Sequence, residues 1–267
     1  MDITFWGVRG SAPCFSRDRV HFGTNTSCLE VSGPGGERLI FDAGTGLVVL
    51  GDHLERLGYP QCEVIHLFFS HFHWDHIQGL PFFKPMYRKG TRIVIYGRQG
   101  VESVLTSQLV PPFCPIPMEA VAADLEFVTL KGPVDVGRFK VTPFPLNHPQ
   151  HAYGYLVDDG AGRAAYATDT EPDRGAFDQI LREGVRGAEV LIMDSNNAVE
   201  EAERRKGWGH STWRDCIAVA RDAGVKRLVL NHHDAFQSDE SVREKEARAQ
   251  AEFPGALCAC EGLTLTV

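Results

Sequence analysis

Apolar residues fall in short runs along most of the chain: Arg38 to Phe41, Val64 to Phe69, Arg92 to Tyr96, Phe139 to Phe144, Ala152 to Val157, Arg163 to Ala167, Glu189 to Met193, Lys226 to Leu230 and Leu263 to Val267. Runs of this length, rich in β-branched and aromatic residues, predict buried or half-buried strands. Between some of them the period lengthens. Leu47, Leu50, Leu54 and Leu57 recur at spacings of three, four and three, the stripe of an amphipathic helix, which Gly58 and Pro60 are expected to close. Thr212 with Asp215 three residues on predicts a capping box for a second helix, whose stripe is Trp213, Ile217 and Ala220 and which Gly224 stops. A strand follows at once, the rhythm of a layered α/β architecture. No linker and no fixed repeat interrupts the pattern, so one domain over residues 1–267 is expected.

Composition narrows the partners. Thirty-five acidic side chains against 27 basic ones give a formal charge of -8, which opposes a broad grip on a phosphate backbone and makes a long nucleic acid an unexpected partner. The stretches Glu200 to Lys206 and Arg243 to Arg248 mix both signs and are expected to be solvated faces. The N-terminus has no basic-then-apolar leader, and no apolar run approaches the roughly 18 residues of a membrane span. No membrane association and a cytoplasmic location are therefore expected.

Pro111-Pro-Phe-Cys-Pro-Ile-Pro117 predicts a loop, a lid or a dimer contact, because its prolines remove amide donors. Cys14, Cys28, Cys62, Cys114 and Cys216 lack close pairing and are expected to be reduced, buried thiols. Cys258 and Cys260 share a face in extended chain, a weaker metal candidate with no second pair of ligands.

The chemistry gathers in Ser70-His-Phe-His-Trp-Asp-His76, directly after an apolar strand. Histidines two apart in such a turn can converge on one cation, while the adjacent Asp75 and His76 suit a second. Imidazoles with a few carboxylates suit Zn²⁺ best, with Mn²⁺ or Fe²⁺ also accommodated. Asp42, His148, Asp169, Asp194 and His232 each stand at or just beyond the end of an apolar run, where layered α/β folds collect functional groups. Any one of them alone reads as a core histidine or a turn former. Taken together they require a cation, since so many buried donors and carboxylates otherwise repel or go unpaired.

His71-Phe-His-Trp-Asp-His76 resembles the H-x-H-x-D-H signature of the metallo-β-lactamase fold, and the later order His148, Asp169, His232 is similar to that family's downstream ligands. Gly7-Val-Arg-Gly-Ser11, Gly23-Thr-Asn-Thr-Ser27, Phe41-Asp-Ala-Gly-Thr-Gly46 and Gly209-His-Ser-Thr-Trp213 carry a closer likeness to its phosphodiesterase branch, which includes ribonuclease Z and bacterial cyclic-nucleotide phosphodiesterases. The resemblance implies a four-layer αββα sandwich. It also implies two divalent cations, one on His71, His73 and His148, the other on Asp75, His76 and His232, with Asp169 bridging. His233 is the rival to His232. Asp42 is implied to orient a ligand imidazole. Members that reduce oxygen at iron tend to carry glutamate at the second histidine position, whereas His73 stands here, so hydrolysis is implied.

The expected reaction is hydrolysis of a small phosphodiester, a cyclic nucleotide or related cyclic phosphate, by water activated at the cations, with Asp75, Asp169 and His210 as catalytic residues. His210, Ser211 and Thr212 sit at a predicted helix N-terminus that favours an anion, and His210 is expected to contact the phosphate and act as general acid. The plainer reading of His210 is a histidine beside a cap. Arg9 and Asn25 either contact phosphate or brace turns. Trp74, Phe82, Phe83, Phe113, Trp208 and Phe236 are candidates for an aromatic wall, Trp74 and Trp208 foremost, though most are expected to pack in the core. Rival readings are a thioester or lactone hydrolase of glyoxalase type, an RNA-processing nuclease, and a non-catalytic sensory module. Dimers are frequent in this branch, so a homodimer fits as well.

Overall fold

The computed structural model describes residues 1–58, 64–112 and 114–267. Two seven-stranded sheets lie face to face. The first runs in the order Thr264–Thr266, Asp2–Gly7, Cys28–Ser32, Arg38–Phe41, Val64–Phe68, Arg92–Gly97, Asp124–Thr129, and the second Ala256–Cys258, Arg227–Asn231, Val190–Asp194, Arg163–Ala167, Ala152–Asp158, Phe139–Leu146, Val134–Val136. In each sheet four consecutive strands are parallel, and antiparallel strands flank them.

Side-chain alternation explains why the central strands read as unbroken apolar runs. Leu39 and Phe41 face the core between the sheets while Ile40 faces an outer layer. On the second sheet Val190 and Ile192 point inward, and Leu191 and Met193 outward. Both faces of each sheet are therefore covered. Leu47, Leu50 and Leu54 of helix Gly46–Arg56 cover the outer face of the first sheet. Leu181 of Ala176–Gly184, Ile217 and Ala220 of Trp213–Ala223, and Val242 and Ala249 of Asp239–Glu252 cover that of the second. Three apolar interfaces between four layers make the αββα sandwich.

Some local expectations shift. Leu57 is the C-cap of its helix and is exposed, so the stripe ends at Leu54; Gly58 follows in the left-handed conformation, and Pro60 lies outside the described residues. The capping box at Thr212 and Asp215 is formed, and Gly224 ends that helix at φ 71°; such a cap stabilises by about 0.5–2 kcal/mol. The stretch Arg243 to Arg248 is one part of a long helix, and Lys245 within it is buried rather than solvated. Strands Asp2–Gly7, Cys28–Ser32, Asp124–Thr129, Val134–Val136 and Ala256–Cys258 extend the sheets beyond the predicted runs. Among the described residues, no helix is long and apolar enough to cross a membrane.

Candidate metal centre

The parallel strands deliver the site. Ser70-His71 follows Val64–Phe68, Asp169 follows Arg163–Ala167, and His232 follows Arg227–Asn231, all at carboxyl ends on one rim. Asp42, Asp169 and His232 have φ of 64°, 44° and 55°, a left-handed conformation that costs a non-glycine residue about 1–3 kcal/mol and is characteristic of residues held for a purpose. His73 caps the single-turn helix Trp74–Ile77, which carries Asp75 and His76.

Three groups of potential ligand atoms result among the described residues: His71, His73 and His148; Asp75, His76, Asp169 and His232; and Asp194, His210 and His232, the last sharing His232 with the second. In the first, His148 Nε2 lies 3.1 Å from His73 Nδ1. In the second, His76 Nε2 lies 3.2 Å from His232 Nε2, and His232 Nε2 lies 3.2 Å from both Asp75 Oδ2 and Asp169 Oδ1. Asp169 stands between the first two groups. Its Oδ1 faces His76 and His232 at 3.4 and 3.2 Å, and its Oδ2 faces His71 and His148 at 3.7 and 3.8 Å.

The outer ring nitrogens of His76, His71 and His148 have hydrogen-bond partners, whereas His232 Nδ1 is buried without one. His76 Nδ1 donates to Asp42 Oδ2 at 2.9 Å, and Asp42 also accepts from Ser70 and the Tyr166 hydroxyl. His71 Nδ1 lies 3.0 Å from Ser70 Oγ. His148 Nδ1 donates to the Gly209 carbonyl at 2.9 Å. Gly209 comes this close because it lacks a side chain: a Cβ there would lie 2.1 Å from His148 Nδ1, and its φ is 86°. With the outer nitrogens of His76 and His148 donating, the inner ones of the neutral rings are the atoms whose lone pairs a metal can take. His71 Nε2 is buried with no hydrogen-bond partner. Converging electron-rich atoms of this kind need cations between them, and the donor set suits divalent metals.

Titration follows the same geometry. Burial pushes His71 and His148 below the usual imidazole range. Burial also acts against the charged form of His76, but Asp75, Asp169 and Asp42 outweigh it and raise that group. Burial alone would raise Asp75 and Asp169; the imidazoles around them hold both well below the ordinary carboxylate range.

His210 lies beside the first two groups, its ring centroid 5.5 Å from that of His148 and 5.3 Å from that of His232. Its Nδ1 donates to Asp194 Oδ2 at 2.9 Å. Burial opposes its charge, but Asp194 prevails and lifts it to about 9. Asp194 was legible only as a strand-end carboxylate; its pairing with His210, 16 residues away, has no local sequence signal.

Other expected contacts resolve differently. Arg9 is wholly buried and donates to the carbonyls of Gly23, Asp234 and Gln237, so it braces turns and does not reach a phosphate. Asn25 donates through its side-chain amide to Glu261 Oε2 and through its backbone amide to Glu261 Oε1, tying its segment to the C-terminal part of the chain. Ser211 is buried, its Oγ donating to Thr170 O. The amides of Ser211 and Thr212 donate to Asp194 and Asp215, and Thr212 Oγ1 also bonds to Asp215. That helix N-terminus already has carboxylates as its anions; Ser211 is sealed inside, while Thr212 lines the groove beside His210. His233 faces away from the site, its Nε2 donating to Ala259 O and its Nδ1 against Lys245 Nζ.

Phe83 is buried in the core, whereas Trp74, Phe82, Trp208 and Phe236 are exposed; Phe113 lies outside the described residues. The six described cysteines are free, Cys14 and Cys260 only partly buried, and no potential metal group among the described residues includes a cysteine. Cys62 lies outside them.

A family profile described as "Beta-lactamase superfamily domain" matches residues 37–233. Ribonuclease BN of Cronobacter sakazakii is 26% identical over 320 aligned positions that cover 100% of both chains. The metallo-beta-lactamase fold protein YhfI from Bacillus subtilis superposes with a TM-score of 0.72 at 20% identity over 99% of each chain. A diphosphatase from the PhnP family gives 0.71 at 21% identity, over 100% of this chain and 97% of that one. At these identities the two solved structures speak for the fold alone.

Proposed function

The chain belongs to the beta-lactamase superfamily and is a metal-dependent hydrolase, and from that premise we propose that it cleaves a small phosphodiester, with a cyclic nucleotide or related cyclic phosphate as the best-fitting class. The observation that carries this reading is the Asp194–His210 pair beside the ligand groups. Against the opposing effect of burial, Asp194 raises His210 to about 9 in the metal-free protein, which favours the protonated imidazole that a general acid requires. Asp194 keeps Nδ1–H, and Nε2–H is free to be given to a leaving alkoxide. A ribose alkoxide needs that proton, whereas the thiolate released by a glyoxalase-type thioesterase leaves without it.

In this reading His71, His73 and His148 hold one cation, and Asp75, His76 and His232 the other, with Asp169 shared. Zinc is the proposed metal. Two bound divalent cations lower the pKa of water and neutralise charge gathering on phosphate oxygens. Asp75 Oδ2 accepts the Ser11 amide at 2.7 Å, which fixes a carboxylate able to receive a proton from water. Asp42 orients His76. The free thiols suit a reducing, cytoplasmic compartment.

Charge supports a compact substrate. The groove of about 600 Å³ beside His210 is lined by Glu171, Asp173, Glu203 and Asp215 as well as Arg174, Lys206 and Arg214, and the chain carries a net charge of -8. Neither favours a long polyanion. The relative named ribonuclease BN favours RNA cleavage as a second reading. Its alignment, however, runs over 320 positions against 267 residues here, so part of that relative has no counterpart in this chain.

The deciding experiment is a substrate panel on protein of measured metal content. Metal-loaded protein is expected to hydrolyse bis(p-nitrophenyl) phosphate and cyclic AMP, and to leave glutathione thioesters, lactones and precursor transfer RNA largely intact. Preference for the thioester or lactone ends the phosphodiester reading, and efficient RNA cleavage replaces the small substrate with the second reading.

A further inference from the structure

His73 is supported differently from the other imidazoles. Its Nδ1 faces His148 Nε2, so its Nε2 points outward, 2.7 Å from Oε1 of Gln150. Asp42, Ser70 and the Gly209 carbonyl, which support His76, His71 and His148, make those contacts inside the protein. Gln150 is exposed.

The turn that presents it is strained. Gln150 and His151 have φ of 64° and 67°, two successive non-glycine residues in a region that L-residues avoid. Nη1 of Arg98 donates to both of their carbonyls, at 2.5 and 2.9 Å, and the His151 amide closes the turn on His148 O at 2.9 Å. A guanidinium from a neighbouring strand end thus holds a conformation the two residues do not favour, and the result is one amide oxygen placed on one ring nitrogen.

We propose that Gln150, clasped through its backbone by Arg98, is the positioning residue that fixes the tautomer and orientation of His73, and thereby sets how tightly the all-imidazole group retains its cation. The inference rests on the reading that His71, His73 and His148 hold a cation. By accepting the Nε2 proton, the amide oxygen leaves the lone pair on Nδ1, the atom turned toward His148. A flipped amide would offer N–H to Nε2 and favour the opposite tautomer. A carboxylate at the same position has no such alternative and makes the imidazole a stronger donor.

The test is a competition titration with a chromophoric zinc chelator, which reads two dissociation constants per chain, together with ¹⁵N NMR of the histidine side chains to read the His73 tautomer. Gln150→Leu is expected to weaken one of the two zinc sites about 10–100-fold, to leave the other within error, and to mix the His73 tautomers. Gln150→Glu tightens that same site. Arg98→Met reproduces the effect of Gln150→Leu, and the double variant is no weaker than either single one, because both act through the same contact. His151→Gly relieves strain without touching His73; it raises thermal stability and leaves both zinc constants unchanged, separating positioning from general support of the turn.

Wild-type protein that binds two zinc ions with constants and tautomers untouched by Gln150→Leu and Gln150→Glu overturns the clasp while the metal centre stands. Wild-type protein that binds fewer than two overturns the two-group reading and the clasp with it.

Discussion

The two halves of the metal centre are built from different materials. His71, His73 and His148 bring imidazoles only, and His73 stands at the rim with an exposed glutamine as its outer partner. Asp75, His76, Asp169 and His232 bring two carboxylates, all four are buried, and His76 leans on the buried carboxylate of Asp42. A divalent cation in the second half would have its charge neutralised by its own ligands in a low-dielectric surrounding. One in the first half would depend on Asp169 Oδ2 for its only carboxylate. On the proposed assignment Asp169 would be shared between the two cations, and the first half would be the one able to exchange its metal.

Asp169 is accordingly where the comparison breaks most completely. Asp169→Asn is expected to release metal from both halves and to abolish turnover, checked by metal analysis of the purified protein alongside the rate on bis(p-nitrophenyl) phosphate. Two tightly held ions per chain in that variant would show the halves to be independent.

His210 adjoins a ligand from each half, and the effect of removing it is the next largest. His210→Ala is expected to slow a poor leaving group about 10²–10⁴-fold and to slow a nitrophenolate far less. The acid works in its protonated form, so the wild-type rate on the poor leaving group holds through neutral pH and falls as pH rises through the His210 pKa, about 9 in the metal-free protein. Bound cations repel that proton and move the limb lower without reversing it. The limb disappears in the variant; equal slowing of both leaving groups removes His210 from proton transfer.

Asp42→Asn sharpens the contrast within the second half. Loss of the carboxylate behind His76 is expected to weaken one zinc constant about 10–100-fold and leave the other alone. The site it weakens should be the one Gln150→Leu spares. If both substitutions fall on the same site, the assignment of ligands to halves is wrong.

What the chain announces in one dimension is local chemistry. The H-x-H-x-D-H segment lies within six residues, the capping box within four, and the central strands show themselves because covering both faces of a sheet demands continuous apolar runs. Edge strands were harder to see. Asp124–Thr129 and Val134–Val136 are half exposed and mix polar with apolar positions, and Ala256–Cys258 has only three residues. Helix Asp239–Glu252 turns few apolar groups inward and includes a buried lysine where a solvated face was expected.

Residue types able to bind metal, and their place at strand ends, are legible along the chain, because apolar periodicity and motif spacing are properties of neighbouring positions. Which atoms meet is set by the packing of the fold. It set one Asp169 oxygen toward each half of the centre, gave His210 to Asp194, sealed Arg9 and Ser211 inside turns, and laid Gln150 against His73, 77 positions apart in the chain. Those choices depend on packing two sheets against each other and on backbone angles at single residues, and neither leaves a trace in local pattern.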